Sequence, residues 1–182
     1  KIAIIGAGAM GRQIALQCAL HGVEVNLNDS VAESLQAAGK FTREYLDGRV
    51  AKGRITAEQR EAALAKVCLT PDLSAAASGV SMVIEAIIEQ FEPKAALFRE
   101  LDRLCAPDAI LATNSSNVRG SRLADVTRRP ERVLNLHFFN PALVMALVEV
   151  VVHPAVPAGV IETALAFCRR IGKIPVLLRR EI

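Results

Sequence analysis

An α/β fold, a doubly wound and mainly parallel sheet with helices on both faces, is the class this sequence predicts, and three observations predict it. Short, continuously apolar runs alternate with stretches of helical periodicity from residue 2 to residue 136, as strands buried on both faces alternate with their crossover helices. The first run opens directly into Gly6-Ala7-Gly8-Ala9-Met10-Gly11, the G-x-G-x-x-G spacing that joins a strand to a helix around a pyrophosphate. The second run ends at Asp29, eighteen residues beyond Gly11, where such a unit places the acid that meets an adenosine ribose. A hydrophobic content of 52% and a mean hydropathy of +0.31 suit a sheet covered on both sides. At 182 residues the chain holds one core, so a single Rossmann-type domain is expected over 1–182.

Each glycine of the triplet has its own task. Gly6 permits the tight turn, Gly8 lets backbone approach a pyrophosphate where a Cβ would block it, and Gly11 lets the helix pack hard on the strand. The N–H groups at the helix start, around Ala9 and Met10, then face the anion. Asp29 makes NAD the expected cofactor rather than NADP, because a 2′-phosphate about 4 Å from a carboxylate meets roughly 4 kcal/mol of repulsion at an effective dielectric near 20. No Lys or Arg stands between Asn28 and Gly39 to offset it. A secretory signal also starts with a cation and an apolar stretch, but the three glycines and Arg12 fit one poorly.

The remaining elements follow in order. Ile14, Ala15, Cys18 and Ala19 keep helical spacing, His21 is a cation in the last turn, and Gly22 stops the helix. Residues 23–27 form the second strand. Residues 31 to about 51 read as a long helix, and Thr56 caps a second helix reaching about residue 65, so two helices lengthen this crossover. Strands are expected at 67–69 and 82–85, with a short helix or loop over 74–81 between them. Pro93 sits in the first turn of a helix from about residue 92 to Leu104. A fifth strand over 109–112 exits through Thr113-Asn114-Ser115-Ser116-Asn117, which serves equally as turn chemistry or as the polar wall of a site. A sixth strand over 133–136 leads into His137-Phe138-Phe139-Asn140-Pro141, and a strand at 147–152, a helix at 157–171 and a strand at 175–178 close the chain.

Composition excludes several classes of function. A net charge of +3 is too small to argue for nucleic acid, and the local clusters Arg128, Arg129, Arg132 and Arg169, Arg170, Arg179, Arg180 read as solvated surface. No run reaches membrane-spanning length, since Glu149 interrupts the longest one. Cys18, Cys68, Cys105 and Cys168 are widely spaced within apolar patterns, show no metal-ligand pairing, and read as reduced core residues of a cytoplasmic protein. The chain starts at Lys1 directly in a strand and stops at Ile182, which reads as trimmed natural ends.

A dinucleotide fold does not name a reaction. Hydride chemistry on a nicotinamide needs a neighbouring group to take a hydroxyl proton, and of the three histidines only His137 follows a strand at the edge where α/β sheets bind ligands. A lone histidine there is as readily a hydrogen-bonded core residue. Glu149 bears on the choice: within Leu147-Val148-Glu149-Val150-Val151-Val152 an unpaired buried carboxylate costs several kcal/mol, so it faces solvent or a partner. A carboxylate on one ring nitrogen of His137 fixes its tautomer and leaves the other to take the proton. Ser116 and Asn140 are candidate donors to the developing carbonyl oxygen.

Together, Gly6-Ala7-Gly8-Ala9-Met10-Gly11, Val83-Ile84-Glu85-Ala86-Ile87-Ile88-Glu89, Ala112-Thr113-Asn114-Ser115-Ser116, His137-Phe138-Phe139-Asn140-Pro141 and Leu147-Val148-Glu149-Val150 resemble the NAD-binding domain of L-3-hydroxyacyl-CoA dehydrogenases. The resemblance spans essentially the whole chain. It implies interconversion of (S)-3-hydroxyacyl-CoA and 3-ketoacyl-CoA in fatty-acid metabolism. His137 would then be the acid/base, Glu149 its orienting partner, and Ser116 and Asn140 contacts to substrate oxygens. Asp29, Ala86, Glu89, Lys94 and Asn114 would line the NAD site, and Lys52 would meet the phosphates of coenzyme A, although an exposed helix charge explains it equally. The chain departs from the family's pattern at Ser115, Asn117, Tyr45 and Ala146. The family continues into a helical domain that carries most of a homodimer interface. Two rival readings stand beside this one: a gulonate-type polyhydroxy-acid dehydrogenase, whose histidine block normally lacks the pair Phe138 and Phe139, and a non-catalytic NAD-binding module of a larger protein.

Overall fold

Strands at the centre of this chain's sheet are mostly apolar and buried along their whole length, which requires cover on both faces, and the computed structural model, which describes residues 1–181, supplies it with helices above and below one sheet. In chain order the elements are β1 Ile2–Ile5, α1 Ala9–Leu20, β2 Val25–Asn28, α2 Ala32–Ala51, α3 Ala57–Leu64, β3 Val67–Thr70, α4 Leu73–Ala77, β4 Met82–Glu85, α5 Phe91–Leu104, β5 Ile110–Thr113, α6 Gly120–Ala124, β6 Val133–Phe138, β7 Leu147–Val151, α7 Ala158–Arg170 and β8 Ile174–Leu178, with a 3-10 turn at Pro130–Arg132. Ile182, where the sequence stops, lies outside the described residues. The strand order is β3-β2-β1-β4-β5-β6-β7-β8. Strands β1 to β6 are parallel, β7 turns back antiparallel to β6, and β8 runs parallel to β7. The first six follow the Rossmann order, as expected from the sequence.

Alternation along the strands divides the core in two. Ile2, Ile4, Leu27, Ile84, Leu136 and Val150 pack with Ile14 and Cys18 of α1 and Ile161 and Ala164 of α7. Ala3, Ile5, Val83, Leu111 and Val133 pack on the other face with Ala95, Phe98 and Leu101 of α5 and Leu123 of α6. The two-helix crossover forms as predicted, and α3 begins with a reciprocal cap: Gln59 N–H donates to Thr56 Oγ1 and Thr56 N–H donates to Gln59 Oε1.

Several expectations change. Arg129, read with its neighbours as solvated surface, is buried, because its guanidinium pairs with the buried Asp102 carboxylate at 2.8 Å. Strand β6 runs to Phe138 rather than Leu136, because its antiparallel partner β7 extends the ladder over His137 and Phe138. The short α6 and the 3-10 turn add to the expected elements, since three to five residues are too few for periodicity to register in a sequence. Cys68 is exposed rather than core, because β3 is an edge strand whose middle residues face outward. The other three cysteines are buried as expected, and burial pushes the Cys168 thiol up to about 12.

Candidate active site

The chain leaves β1 toward β2 and leaves β4 toward β5, on the opposite side, so the crevice at their carboxyl ends is the topological switch point. Gly6 turns the chain there with φ +104°, and a Cβ on it would stand 2.6 Å from the Ala86 carbonyl oxygen. A Cβ on Gly11 would run into the Gly6 carbonyl oxygen. Gly8, the N-cap of α1, faces open space, with nothing within 4 Å of where its Cβ would be. Neither a capping side chain nor an acid occupies the first turn of α1, so its N–H groups suit an anion. Asp29 does more than end β2. Its Oδ2 accepts the Ala7 N–H at 2.8 Å and its Oδ1 accepts the Val31 N–H at 2.9 Å, fastening the glycine loop to the turn before α2. Each oxygen keeps a second lone pair for a ribose hydroxyl. The open space at Gly8, the bare helix start and Asp29 beside Gly6 in one cleft fit a dinucleotide.

A second cleft, of about 360 Å³, shares Ile87 with the cleft at Gly6 and Asp29. Met10, Ala86, Glu89, Lys94 and Asn114 line it, together with Ser116, His137 and Asn140. These eight expected residues, five for the cofactor and three for the chemistry, thus line one space, whereas Gly6 and Asp29 line the first cleft and Glu149 lines another with Ser116, Asn117 and His137. Lys52 is not among them; it is exposed at the C-terminal end of α2.

His137 and Glu149 meet because β6 and β7 pair in antiparallel register with these two residues directly opposite. Their neighbours Leu136, Phe138, Val148 and Val150 are buried on the core side, so the alternation of a strand turns His137 and Glu149 to the other face together. Nδ1 of His137 lies 2.9 Å from Oε2 of Glu149. A carboxylate only accepts, so Nδ1 carries a proton, and in the neutral ring Nε2 is then the nitrogen with the lone pair. Asn114 Oδ1 accepts the Phe138 N–H at 2.9 Å, pinning the β5 exit to the strand that carries His137. Lys173, 5% exposed, donates to the Met145 carbonyl at 2.8 Å and to that of Ala142, holding the turn that follows Asn140. His21 and His153 are far from this chemistry in kind: each ring bonds a backbone carbonyl, of Gln17 and of Pro130.

Sequence reasoning missed a buried network beneath the cleft. Glu85, fully buried at the end of β4, takes the Lys94 ammonium at 2.6 Å, the Thr113 hydroxyl at 2.7 Å and the Ile87 N–H at 2.7 Å. Lys94, 1% exposed, also reaches Glu89 Oε2 at 3.2 Å, so its charge is committed to two carboxylates rather than offered to a ligand. Partial burial by itself raises the Glu89 carboxyl, but the Ser115 hydroxyl, the Asn117 N–H and the Lys94 ammonium outweigh it and hold it below the usual carboxylate range. Glu85 closes a buried strand, an acid in an apolar run like Glu149, and that same signal would have found it.

The family model described as 3-hydroxyacyl-CoA dehydrogenase, NAD binding domain, matches residues 1–182. The chain belongs to this family. It is an NAD-binding domain with a Rossmann sheet. It is 42% identical over 175 residues to a 3-hydroxyadipyl-CoA dehydrogenase of Escherichia coli K12, covering 96% of this chain and 37% of that protein. It is 36% identical over 179 residues to a fatty acid oxidation complex subunit alpha of Pseudomonas savastanoi, covering 98% of this chain and 24% of that one. Among solved structures, a 3-hydroxybutyryl-CoA dehydrogenase of Escherichia coli K12 superposes with a TM-score of 0.94 at 42% identity, over 97% of this chain and 37% of that chain. This NAD-binding domain therefore spans well under half the length of each of these relatives. No helix among the described residues is long and apolar enough to cross a membrane.

Proposed function

We propose that the protein carrying this domain interconverts (S)-3-hydroxyacyl-CoA and 3-ketoacyl-CoA in fatty-acid metabolism. The observation that carries the reading is His137, in the wall of the same cleft as Met10, Ala86 and Asn114, with its Nδ1 2.9 Å from Oε2 of Glu149 behind it. NAD, held by the Gly6 to Gly11 turn and by Asp29, supplies the hydride acceptor. His137 Nε2 takes the proton of the C3 hydroxyl, and Glu149, accepting from Nδ1, stabilises the imidazolium that results. Ser116 and Asn140, both exposed to the cleft, hydrogen-bond the substrate oxygen, where charge builds in the reverse direction. Lys52 is assigned to the phosphates of coenzyme A. The relatives act on 3-hydroxyadipyl-CoA and 3-hydroxybutyryl-CoA by name, which supports the acyl-CoA class. Homodimerisation and a reducing cytoplasmic setting complete the reading, the latter supported by three buried thiols.

Reduction of acetoacetyl-CoA by NADH tests it. His137→Gln is expected to lower kcat by about 10²–10⁴-fold while leaving NAD affinity nearly intact, and Glu149→Gln to act in the same direction more mildly. Turnover by His137→Gln near the parent rate overturns the acid/base assignment. A parent that oxidises gulonate but ignores acetoacetyl-CoA is a polyhydroxy-acid dehydrogenase, and one that binds NAD but turns over neither is a non-catalytic module.

A further inference from the structure

Glu89 was expected from its motif to line the NAD site, yet its carboxylate is spent elsewhere. Oε1 accepts from the Ser115 hydroxyl, from the Ser116 N–H at 3.1 Å and from the Asn117 N–H at 3.0 Å. Three donors from three consecutive residues converge on one oxygen, so the 115–117 loop is a nest built around this anion. Ser115 shows the direction of the bond: its Oγ accepts the Val118 N–H at 2.7 Å and the Asn117 N–H at 3.2 Å, which leaves its own proton for Glu89. On the far side Oε2 is anchored by Lys94 at 3.2 Å, and Lys94 by Glu85 at 2.6 Å. Glu85 in turn holds the Thr113 hydroxyl, and the Thr113 Oγ1 accepts the Ser115 N–H at 3.1 Å. A closed circuit therefore runs from the end of β4 through α5 to the exit of β5 and back. Ser116, which it grips by the backbone, lines both the cleft that His137 shares with Met10 and Asn140 and the one that His137 shares with Glu149.

We propose that Glu89 is a positioning residue for the reaction: clamped by Lys94, it sets the backbone of the 115–117 loop so that Ser116 faces the substrate oxygen beside His137. This rests on the function proposed above. The loop has no regular secondary structure of its own between β5 and α6, and its backbone donors have no ladder to join. Without the carboxylate, the Ser116 N–H loses its acceptor, the Asn117 N–H keeps only the Ser115 Oγ at 3.2 Å, and the loop loses the anion on which it converges. A hydroxyl misplaced by about 1 Å contributes far less to an oxyanion than one already in place.

The test is a double-mutant cycle on kcat for acetoacetyl-CoA reduction, using Glu89→Ala, Ser116→Ala and both, with NAD affinity by titration and Tm measured in parallel. Ser116→Ala removes one donor and is expected to lower kcat by roughly 10²-fold. Glu89→Ala is expected to lower kcat by no more than that, to leave the NAD Kd within about threefold, and to change kcat by less than about threefold when Ser116 is already Ala, since residues acting through one group are not additive. Glu89→Gln keeps the size and one acceptor but sets an amide N–H₂ or a neutral oxygen against the Lys94 ammonium. Its kcat is expected between those of the parent and Glu89→Ala, and it carries the test if Glu89→Ala does not fold. Additive losses, or an NAD Kd that rises as far as kcat/KM falls, overturn the positioning role and make Glu89 a cofactor contact. If Ser116→Ala instead turns over at the parent rate, it is the assignment of Ser116 in the proposed function that fails.

Discussion

Asp29 carries two loads at once. Its oxygens hold the N–H groups of Ala7 and Val31, and their remaining lone pairs face the cleft beside Gly6. Asp29→Ala is therefore expected to weaken NAD binding and to narrow the preference over NADP; the parent should bind NAD far more tightly, given roughly 4 kcal/mol of repulsion of a 2′-phosphate. Calorimetric titration with both cofactors checks this, and equal affinities in the parent exclude it. The acid itself was legible, because its distance from Gly11 is dictated by one turn of βαβ structure. The second load was not, since nothing in the spacing says that the loop N–H groups lack other acceptors. His137 and Glu149 were legible for a different reason: an acid inside an apolar strand demands a partner. Glu85 raised the same demand and met it with Lys94 on the next helix, a pairing that only the packing of α5 against β4 reveals.

At the level of elements, the β1–α1 junction separates two kinds of glycine. A Cβ at Gly11 has nowhere to go except into the Gly6 carbonyl, whereas one at Gly8 meets nothing until a ligand arrives. Gly11→Ala is expected to force the helix off the strand at a cost of about 1–3 kcal/mol, lowering Tm by roughly 2–10 °C. Gly8→Ala, at the N-cap, is expected to cost under about 1 kcal/mol of stability and yet to weaken NAD binding, because the methyl group stands where the pyrophosphate approaches. Thermal melts with and without NAD distinguish the two. A Gly8→Ala protein that binds NAD as the parent does removes the pyrophosphate from this loop.

Across the whole molecule, acid sensitivity follows from the anions that tie elements together. Asp102 on α5, 4% exposed, accepts from the Arg128 Nε at 2.8 Å and the Arg129 Nε at 2.8 Å, joining that helix to the segment before β6. Burial pushes its carboxyl up, but the two guanidinium groups and the Arg128 N–H outweigh burial and hold it low, as the loop and Lys94 do for Glu89. A depressed folded-state pKa contributes stability that is present above the unfolded value, near 4, and is lost as pH falls through the folded value. Tm is therefore expected to stay nearly level from pH 7 to 5 and to fall below about pH 4. Asp102→Asn should begin with a lower Tm at pH 7 and lose less of it in acid; an equally steep acid limb in that variant assigns the transition to other groups.

Local chemistry by itself determined the dinucleotide turn, the acid that ends β2, the order of strands and helices and the candidates His137, Glu149, Ser116 and Asn140, because glycine geometry, apolar periodicity and the cost of a buried charge act over a few residues. Tertiary structure alone decided that β7 returns antiparallel, and with that the register that sets Glu149 opposite His137. It also turned Cys68 outward at the sheet edge and left Lys52 outside the cleft. The circuit from Glu85 through Lys94 and Glu89 to the 115–117 loop belongs to the same class. Its members come from β4, the turn after it, α5 and the exit of β5, and a hydrogen bond depends on distance in space, which the order of residues along a chain does not encode.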